Sequence, residues 1–161
     1  MICQIIYGGE ILSKKLERIY VNIEILLNQL LEKEKIMKIK KEDIPVIMEA
    51  PGTVMRKIEG FGNMDATFHE FPVGTDFTPL LKGLPNDSCH CPHWGYILEG
   101  AFRFIYDDGT EEVFEEGDLF YAPAGHTAIV DKELKFVDFS PTKEHNELIA
   151  NVGKVMAEMS Q

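Results

Sequence analysis

Turn-forming residues recur every several positions between residues 44 and 141, and this spacing constrains the fold more than any other feature. Glycine, proline and asparagine separate short apolar runs, at Pro51-Gly52, Gly62-Asn63 and Pro72 among other places. Short runs bounded in this way are typical of antiparallel strands. About nine or ten short strands are expected, which favours a β-barrel or a double-sheet jelly roll over an alternation of helices and strands.

A hairpin is predicted between residues 101–106 and residues 111–115. Asp107-Asp108-Gly109-Thr110 joins the two runs, and its glycine supplies the positive φ angle that tight hairpin turns need. Further strands are predicted at residues 54–59, 66–71, 75–81, 119–122, 127–130 and 134–139.

Both ends of the chain have helical periodicity. Apolar residues at helical spacing predict one amphipathic helix within residues 1–36, and a second helix follows Thr142. The first helix must bury its apolar stripe, either on the barrel as a flap or on a second copy of the chain. A third interpretation treats these residues as a dispensable extension, because Met37 begins a segment typical of a natural start.

The predicted fold is therefore mainly β, with a barrel between an N-terminal amphipathic helix and a C-terminal helix. We expect an N-terminal helical extension at residues 1–40 and the barrel at residues 41–141. Residues 142–161 are expected to form a helix packed on the barrel. A chain of 161 residues, of which 45% are hydrophobic, can close a core of this kind.

The charge balance disfavours several classes of partner. Lys and Arg number 16 against 27 Asp and Glu, which gives a net charge of −11. With no dense basic cluster, neither nucleic acid nor an anionic membrane is an expected partner. The sequence lacks a secretory signal pattern and an apolar run of about 20 residues, so a cytoplasmic protein is expected.

Potential soft metal ligands lie on both sides of the predicted hairpin, at Cys89, Cys91, His93 and His126. Residues two apart in a strand share a face, so Cys89, Cys91 and His93 should point the same way, with His90 pointing outward. His126 follows a tight Pro-x-Gly turn and could face them. Two thiolates and two imidazoles form a tetrahedral set that favours Zn²⁺ among divalent metal ions.

Three interpretations of these residues stay open. Four protein ligands would close a structural zinc site, whereas three would leave a position for water or substrate. The cysteines could also be inert, because free cysteine is commonly a small buried apolar residue. His69 and His145 are predicted to lie on the surface.

The glycine and proline spacing resembles that of the cupin family, whose members are small double-sheet barrels with two sequence motifs. Gly117, Pro123 and Gly125 match the second motif, and His126 stands two residues before the family's histidine position. Counted from Gly83, the segment Cys89-His90-Cys91 occupies the His-x-His place of the first motif. Counted back from Gly100, His93 occupies the place of its glutamate.

This resemblance covers roughly residues 45–140 and implies a cupin-type double-stranded β-helix, or jelly roll. It implies a metal-binding cupin-domain protein, in the first instance an enzyme acting on a small polar molecule. The alternative is a non-catalytic sensor or accessory protein that binds a small ligand, or zinc, with a closed Cys2His2 site. Together with the apolar N-terminal helix, the resemblance also predicts a homodimer.

Overall fold

The computed structural model describes residue 16, residues 18–25 and residues 38–159 of the chain. The chain divides into two compact units, residues 1–37 and residues 38–161. In the first unit, residue 16 and residues 18–25 are helical, as the apolar spacing predicts. The rest of the predicted N-terminal helix, and Cys3 with it, lies outside the described residues. The finer division of the chain at residues 40 and 141 stays a prediction.

The second unit is built on seven antiparallel strands that form one sheet. The strands are β1 (Val46–Ala50), β2 (Thr53–Phe61), β3 (Met64–Phe71), β4 (His93–Tyr106), β5 (Glu111–Glu115), β6 (Leu119–Ala122) and β7 (His126–Pro141). Their order in the sheet is β1-β2-β3-β7-β4-β5, and β6 pairs with β4. One α-helix, α1 (Thr142–Met159), follows the last strand, and short 3-10 helices lie at Lys41–Asp43, Thr78–Leu81 and Pro85–Asp87. The prediction of a mainly β fold with a C-terminal helix is confirmed.

The predicted hairpin is confirmed as β4 and β5, with Ala101 opposite Glu115 and Ile105 opposite Glu111. Two other strand predictions are wrong. Residues 127–130 and 134–139 belong to the single long strand β7, because residues 131–133 stay within the strand beside β4. Residues 75–81 form one isolated bridge and a 3-10 helix instead of a strand.

The long strands β4 and β7 pair along most of their length, and glycines permit the closest approach. Register shifts fall between Ile97 and Phe102. Gly100, within that stretch, has a φ of 86°. A Cβ atom on Gly100 would lie 1.8 Å from the carbonyl oxygen of Glu133, so only glycine fits there.

Inward-facing phenylalanines of β4, β5, β6 and β7 form the centre of the core. The ring of Phe102 stacks on Phe136 at 5.3 Å and meets Phe104 at 4.7 Å and Phe120 at 5.5 Å. Phe102 and Phe104 alternate along β4 with the less buried Arg103 and Ile105, as the period of a strand requires. Burial of these rings supplies a large part of the hydrophobic stabilisation of the unit.

Helix α1 is fixed to the sheet by a buried carboxylate at its first turn. Asp65 of β3 is fully buried and accepts hydrogen bonds from Thr142 Oγ1 at 2.7 Å and His145 Nδ1 at 3.1 Å. Lys57 Nζ lies 3.0 Å from the same carboxylate. Further along α1, Asn151 Nδ2 donates to the Leu80 carbonyl at 3.2 Å. None of the described helices has the length and apolar character needed to cross a bilayer.

Candidate metal centre

The curved sheet and helix α1 surround a cavity of about 290 Å³. One side of it, called here the apolar wall, consists of the phenylalanines Phe71, Phe102, Phe104, Phe120 and Phe136. Helix α1 contributes further apolar side chains, Leu148, Ile149, Val152 and Met156. The polar side chains of the lining, called here the polar wall, are those of Cys89, His93, His126, Asp138, His69 and His145. A cavity that is mostly apolar with a few convergent polar groups is typical of small-molecule sites.

Three of the four predicted ligands meet in the polar wall. Cys89 forms an isolated bridge with His126, the first residue of β7, through a 2.7 Å hydrogen bond from the Cys89 backbone N–H to the His126 carbonyl. His93, the first residue of β4, brings its Nε2 within 3.4 Å of Cys89 Sγ. One potential ligand atom from each of the three residues lies within 4.8 Å of the others.

The fourth predicted ligand, Cys91, is not brought into this group. Residues 90–92 are not strand, because Pro92 lacks the N–H that a ladder needs, and β4 begins only at His93. The expected alternation of Cys89, Cys91 and His93 on one strand is therefore wrong. The Cys91 thiol is buried and contacts the Pro92 carbonyl at 3.6 Å.

Both histidines of the group have their Nδ1 atom engaged with an oxygen. Nδ1 of His93 lies 2.9 Å from Asp138 Oδ2 and 2.7 Å from Ser140 Oγ. Nδ1 of His126 lies 2.5 Å from the Pro123 carbonyl oxygen. A carboxylate and a carbonyl only accept hydrogen bonds, so each Nδ1 carries the proton. This tautomer leaves the two Nε2 atoms as the potential ligands, which is how hydrogen bonds to oxygen orient histidines at metal sites.

The protonation of the group is set by its neighbours. Burial opposes ionisation of the Cys89 thiol, but hydrogen bonds with His126 and His93 outweigh it and lower the Cys89 pKa to about 6. Burial also opposes protonation of His93, yet hydrogen bonds to Asp138 and Cys89 raise its pKa to about 10. Near neutral pH the pair is therefore a thiolate and an imidazolium that share one proton between sulfur and Nε2.

Two further groups differ in charge for physical reasons. Burial raises the pKa of Cys91 to about 12, so this thiol stays protonated. Burial favours the neutral form of Asp138, but His69 and His93 overcome it and hold the pKa of this carboxyl far below its usual range. The polar wall thus contains a permanent buried carboxylate beside His93.

Several residues of this wall were not predicted from the sequence. His69 and His145 were expected on the surface, and this expectation is wrong, because both are buried. Nε2 of His69 lies 3.0 Å from Asp138 Oδ1, and Nδ1 of His145 bonds to Asp65. Asp138 and Ser140 come from the end of β7, distant in sequence from Cys89. The sequence feature that could have identified these residues is a polar side chain at an inward position of a strand whose other inward residues are apolar.

The donor set fits a divalent metal ion with an open position. One thiolate and two imidazoles suit Zn²⁺, and three protein ligands leave a fourth position for water or substrate, as in catalytic zinc sites. The hydrogen bond from His93 to Asp138 provides the outer-shell support that metal-binding histidines commonly have. The polar wall therefore contains a possible Cys/His/His metal site.

Several solved structures are similar to this chain. An RmlC-like cupin from Shewanella frigidimarina is 19% identical, with a TM-score of 0.48 over 65% of this chain and 90% of that chain. The polyketide cyclase RemF from Streptomyces resistomycificus is 20% identical, with a TM-score of 0.48 over 65% of this chain and 78% of that chain. KdgF from Halomonas sp. is 21% identical, with a TM-score of 0.45 over 63% of this chain and 90% of that chain.

The chain is similar in structure to solved cupins. At these identities and TM-scores, the likeness carries no argument about the metal, substrate or reaction of this chain. No protein-family model matches the sequence, and no curated protein sequence is similar to it.

Proposed function

We propose that this protein is a metal-dependent cupin in which Cys89, His93 and His126 hold one zinc ion beside a ligand-binding cavity. The observation that carries the proposal is the convergence of the three ligand atoms within 4.8 Å of one another. The tautomers of both histidines support it, because each Nδ1 is turned to an oxygen and each Nε2 is left for the ion. Bound zinc would supply a Lewis acid at this wall of the cavity.

The proposed ligand or substrate is a small molecule with an apolar body. The cavity of about 290 Å³ lies near the lower end of ligand pockets, which span roughly 300–1,000 Å³. Phenylalanines cover one wall, and no lysine or arginine belongs to the described residues that line the cavity. This lining favours a molecule with one polar group toward the metal over the small polar molecule suggested by the sequence.

The open position supports an enzyme more than a non-catalytic zinc protein. A closed Cys2His2 site would need the Cys91 thiol as fourth ligand, and that thiol lies outside the group. Within an open site, Asp138 would hold the His93 ring in place, and the apolar wall would exclude bulk water.

Zinc binding by paired cysteine variants tests this proposal. Protein purified without chelator should contain about one equivalent of zinc by elemental analysis. Cys89→Ser should lower the zinc affinity by at least about 100-fold, whereas Cys91→Ser, the matched control two residues away, should keep it within about threefold. Equal losses in the two variants would instead support the closed Cys2His2 site. Absence of zinc binding to the wild-type protein would overturn the proposal.

Cobalt replacement separates an open site from a closed one. Co²⁺ bound through one thiolate should show a sulfur-to-metal absorption band that Cys91→Ser leaves unchanged. Addition of a small anion such as azide should alter the visible bands, because the anion can take the open position. Bands that azide leaves unchanged would indicate four protein ligands and a non-catalytic site.

We also infer that the protein forms a homodimer. The outward face of β4, β6 and β7 has an exposed aromatic patch formed by Trp94, Tyr96, Tyr121 and Phe139, in which Trp94 stacks on Tyr121 at 5.1 Å. Patches of this kind commonly mark protein interfaces. Tyr121→Lys should shift sedimentation from dimer to monomer, while Val113→Lys, at an equally exposed residue of β5, should not. A wild-type monomer at micromolar concentration would contradict the inference.

The cytoplasm is the proposed location. Both described cysteines, Cys89 and Cys91, are free thiols, and thiols persist in a reducing compartment. Fractionation of cells that express a tagged protein would check this, and recovery outside the cytoplasm would contradict it.

A further inference from the structure

The metal-free polar wall has the geometry of a nucleophilic site. Cys89 Sγ lies 3.4 Å from His93 Nε2, and Nδ1 of the same ring lies 2.9 Å from Asp138 Oδ2. A nucleophile, a base within hydrogen-bond reach of it and a third group that orients the base form the arrangement common to Cys-His and Ser-His enzymes. The thiol of Cys89 and the carboxylate of Asp138 each contact the His93 ring directly. Cys89 and Asp138 are almost completely buried.

The carboxylate that orients His93 is itself held on both sides. His69 Nε2 lies 3.0 Å from Asp138 Oδ1, and the His69 ring stacks on Phe136 at 4.3 Å. Asp138 is therefore bonded through one oxygen to His69 and through the other to His93. This fixes the imidazole plane with Nε2 directed at the thiol.

We propose that Cys89, in the metal-free protein, is a nucleophile activated by His93 and oriented by Asp138, and that it accepts acyl groups from small apolar esters. Cys89, His93 and Asp138 all line the cavity together with the apolar wall, so an apolar acyl chain can lie beside the sulfur. This activity goes beyond the proposed metal function and uses the same cavity. Zinc on Cys89 and His93 would block it, so metal binding and acyl transfer exclude each other.

The atoms of the reaction balance without a redox step. His93 Nε2 holds the thiol proton while sulfur attacks the ester carbonyl carbon, which forms a C–S bond and breaks the C–O bond. The leaving oxygen takes the bonding pair and then the proton from His93. Water, deprotonated by His93, then attacks the thioester carbon, which forms a C–O bond and breaks the C–S bond. The sulfur leaves with the bonding pair as a thiolate, the acid is released, and His93 keeps the proton shared with the sulfur at the start.

Acylation by p-nitrophenyl butyrate tests the proposal on the full chain after treatment with chelator. We expect a burst of about one equivalent of p-nitrophenolate, with one butyryl group found on Cys89 by peptide mapping. Cys89→Ser should abolish the burst, and Cys91→Ser should retain it. His93→Gln should slow acylation by about 100-fold, the usual size of a general-base contribution. One equivalent of zinc should suppress the burst in the wild-type protein.

Peptide mapping of the wild-type protein decides the question even where a variant fails to fold. Butyryl groups distributed over Cys3, Cys91 and lysines, or the absence of a burst, would overturn the proposal. Zinc binding is measured separately by elemental analysis, so the two proposals fail independently. If the protein binds zinc but the metal-free protein is not acylated, the nucleophile proposal fails and the metal proposal stands. If the protein is acylated but does not bind zinc, the metal proposal fails and the nucleophile proposal stands.

Discussion

The two walls of the cavity are built from the same long strands, but they differ in what they contribute. β4 supplies His93 to the polar wall and Phe102 and Phe104 to the apolar wall, and β7 supplies Asp138 and Phe136 in the same way. Burying phenylalanine stabilises the fold, whereas burying a carboxylate and several imidazoles costs solvation free energy that partners offset only in part. The comparison indicates that the apolar wall serves stability and that the polar wall serves chemistry.

The largest effect should come from the apolar wall. Phe102→Ala removes a ring that contacts Phe104, Phe120 and Phe136, and it should lower the free energy of unfolding by about 3–5 kcal/mol. Denaturation by urea measures this loss. Zinc affinity of the folded variant should stay near the wild-type value. If the folded variant also lost zinc binding, the apolar wall would serve the metal site as well as stability, which would contradict the distinction between the two walls.

The ionisation of the polar wall should make zinc affinity depend on pH. The Cys89 pKa is lowered to about 6 and the His93 pKa is raised to about 10, so between these values zinc displaces one proton, from His93. Apparent affinity should therefore rise about tenfold per pH unit in this window, and more steeply below about pH 6, where the thiol must also ionise. Calorimetry in buffers of different ionisation enthalpy counts the protons. With azide in the open position, so that no zinc-bound water can ionise, release of two protons at pH 8 would contradict the assigned thiolate.

A change of one atom at Asp138 should weaken the metal site more than the fold. In Asp138→Asn the side chain can accept from only one of its two histidine partners, because its amide nitrogen is a donor. Zinc affinity should fall by about 10–100-fold. Competition with a chromophoric chelator measures it. Affinity within threefold of wild type would show that Asp138 does not support the ligand.

The smallest effect is expected on the outer face of the same strands. Glu99 of β4 and Lys135 of β7 form an ion pair at 2.6 Å with both side chains partly exposed. Solvent and salt screen such exposed pairs, so Glu99→Ala should leave the urea midpoint almost unchanged and zinc affinity unaltered. Urea denaturation and zinc titration check both points. A large loss of zinc binding would contradict this and show that residues on the outer face of the sheet also support the metal site.

The sequence predicted those parts of the fold that depend on local signals. The Asp107-Asp108-Gly109-Thr110 turn gave the β4–β5 hairpin, because tight turns need residues of defined backbone conformation. The division of β7 into two strands failed because residues 131–133 form a charged triplet that is typical of a turn. In the structure, these exposed side chains project from a strand whose backbone remains paired with β4.

The metal site shows the same limit. Cys89, His93 and His126 could be grouped from motif spacing, but the strand alternation that included Cys91 overlooked the effect of Pro92. His69 and Asp138 meet only because β3 pairs with β7 over a sequence separation of 69 residues. No local pattern encodes such a pairing, although the alternation along β3 already placed His69 on the same face as the buried Phe71.

Helix α1 completes the cavity, and this has a consequence for biosynthesis. Every ligand and every phenylalanine of the two walls is synthesised before Leu148, Ile149, Val152 and Met156. During translation the barrel therefore passes through a stage in which its thiol and imidazoles face the solvent without a cover. Metal availability at that stage can decide whether helix α1 packs over a metal-bound site or over a metal-free thiol.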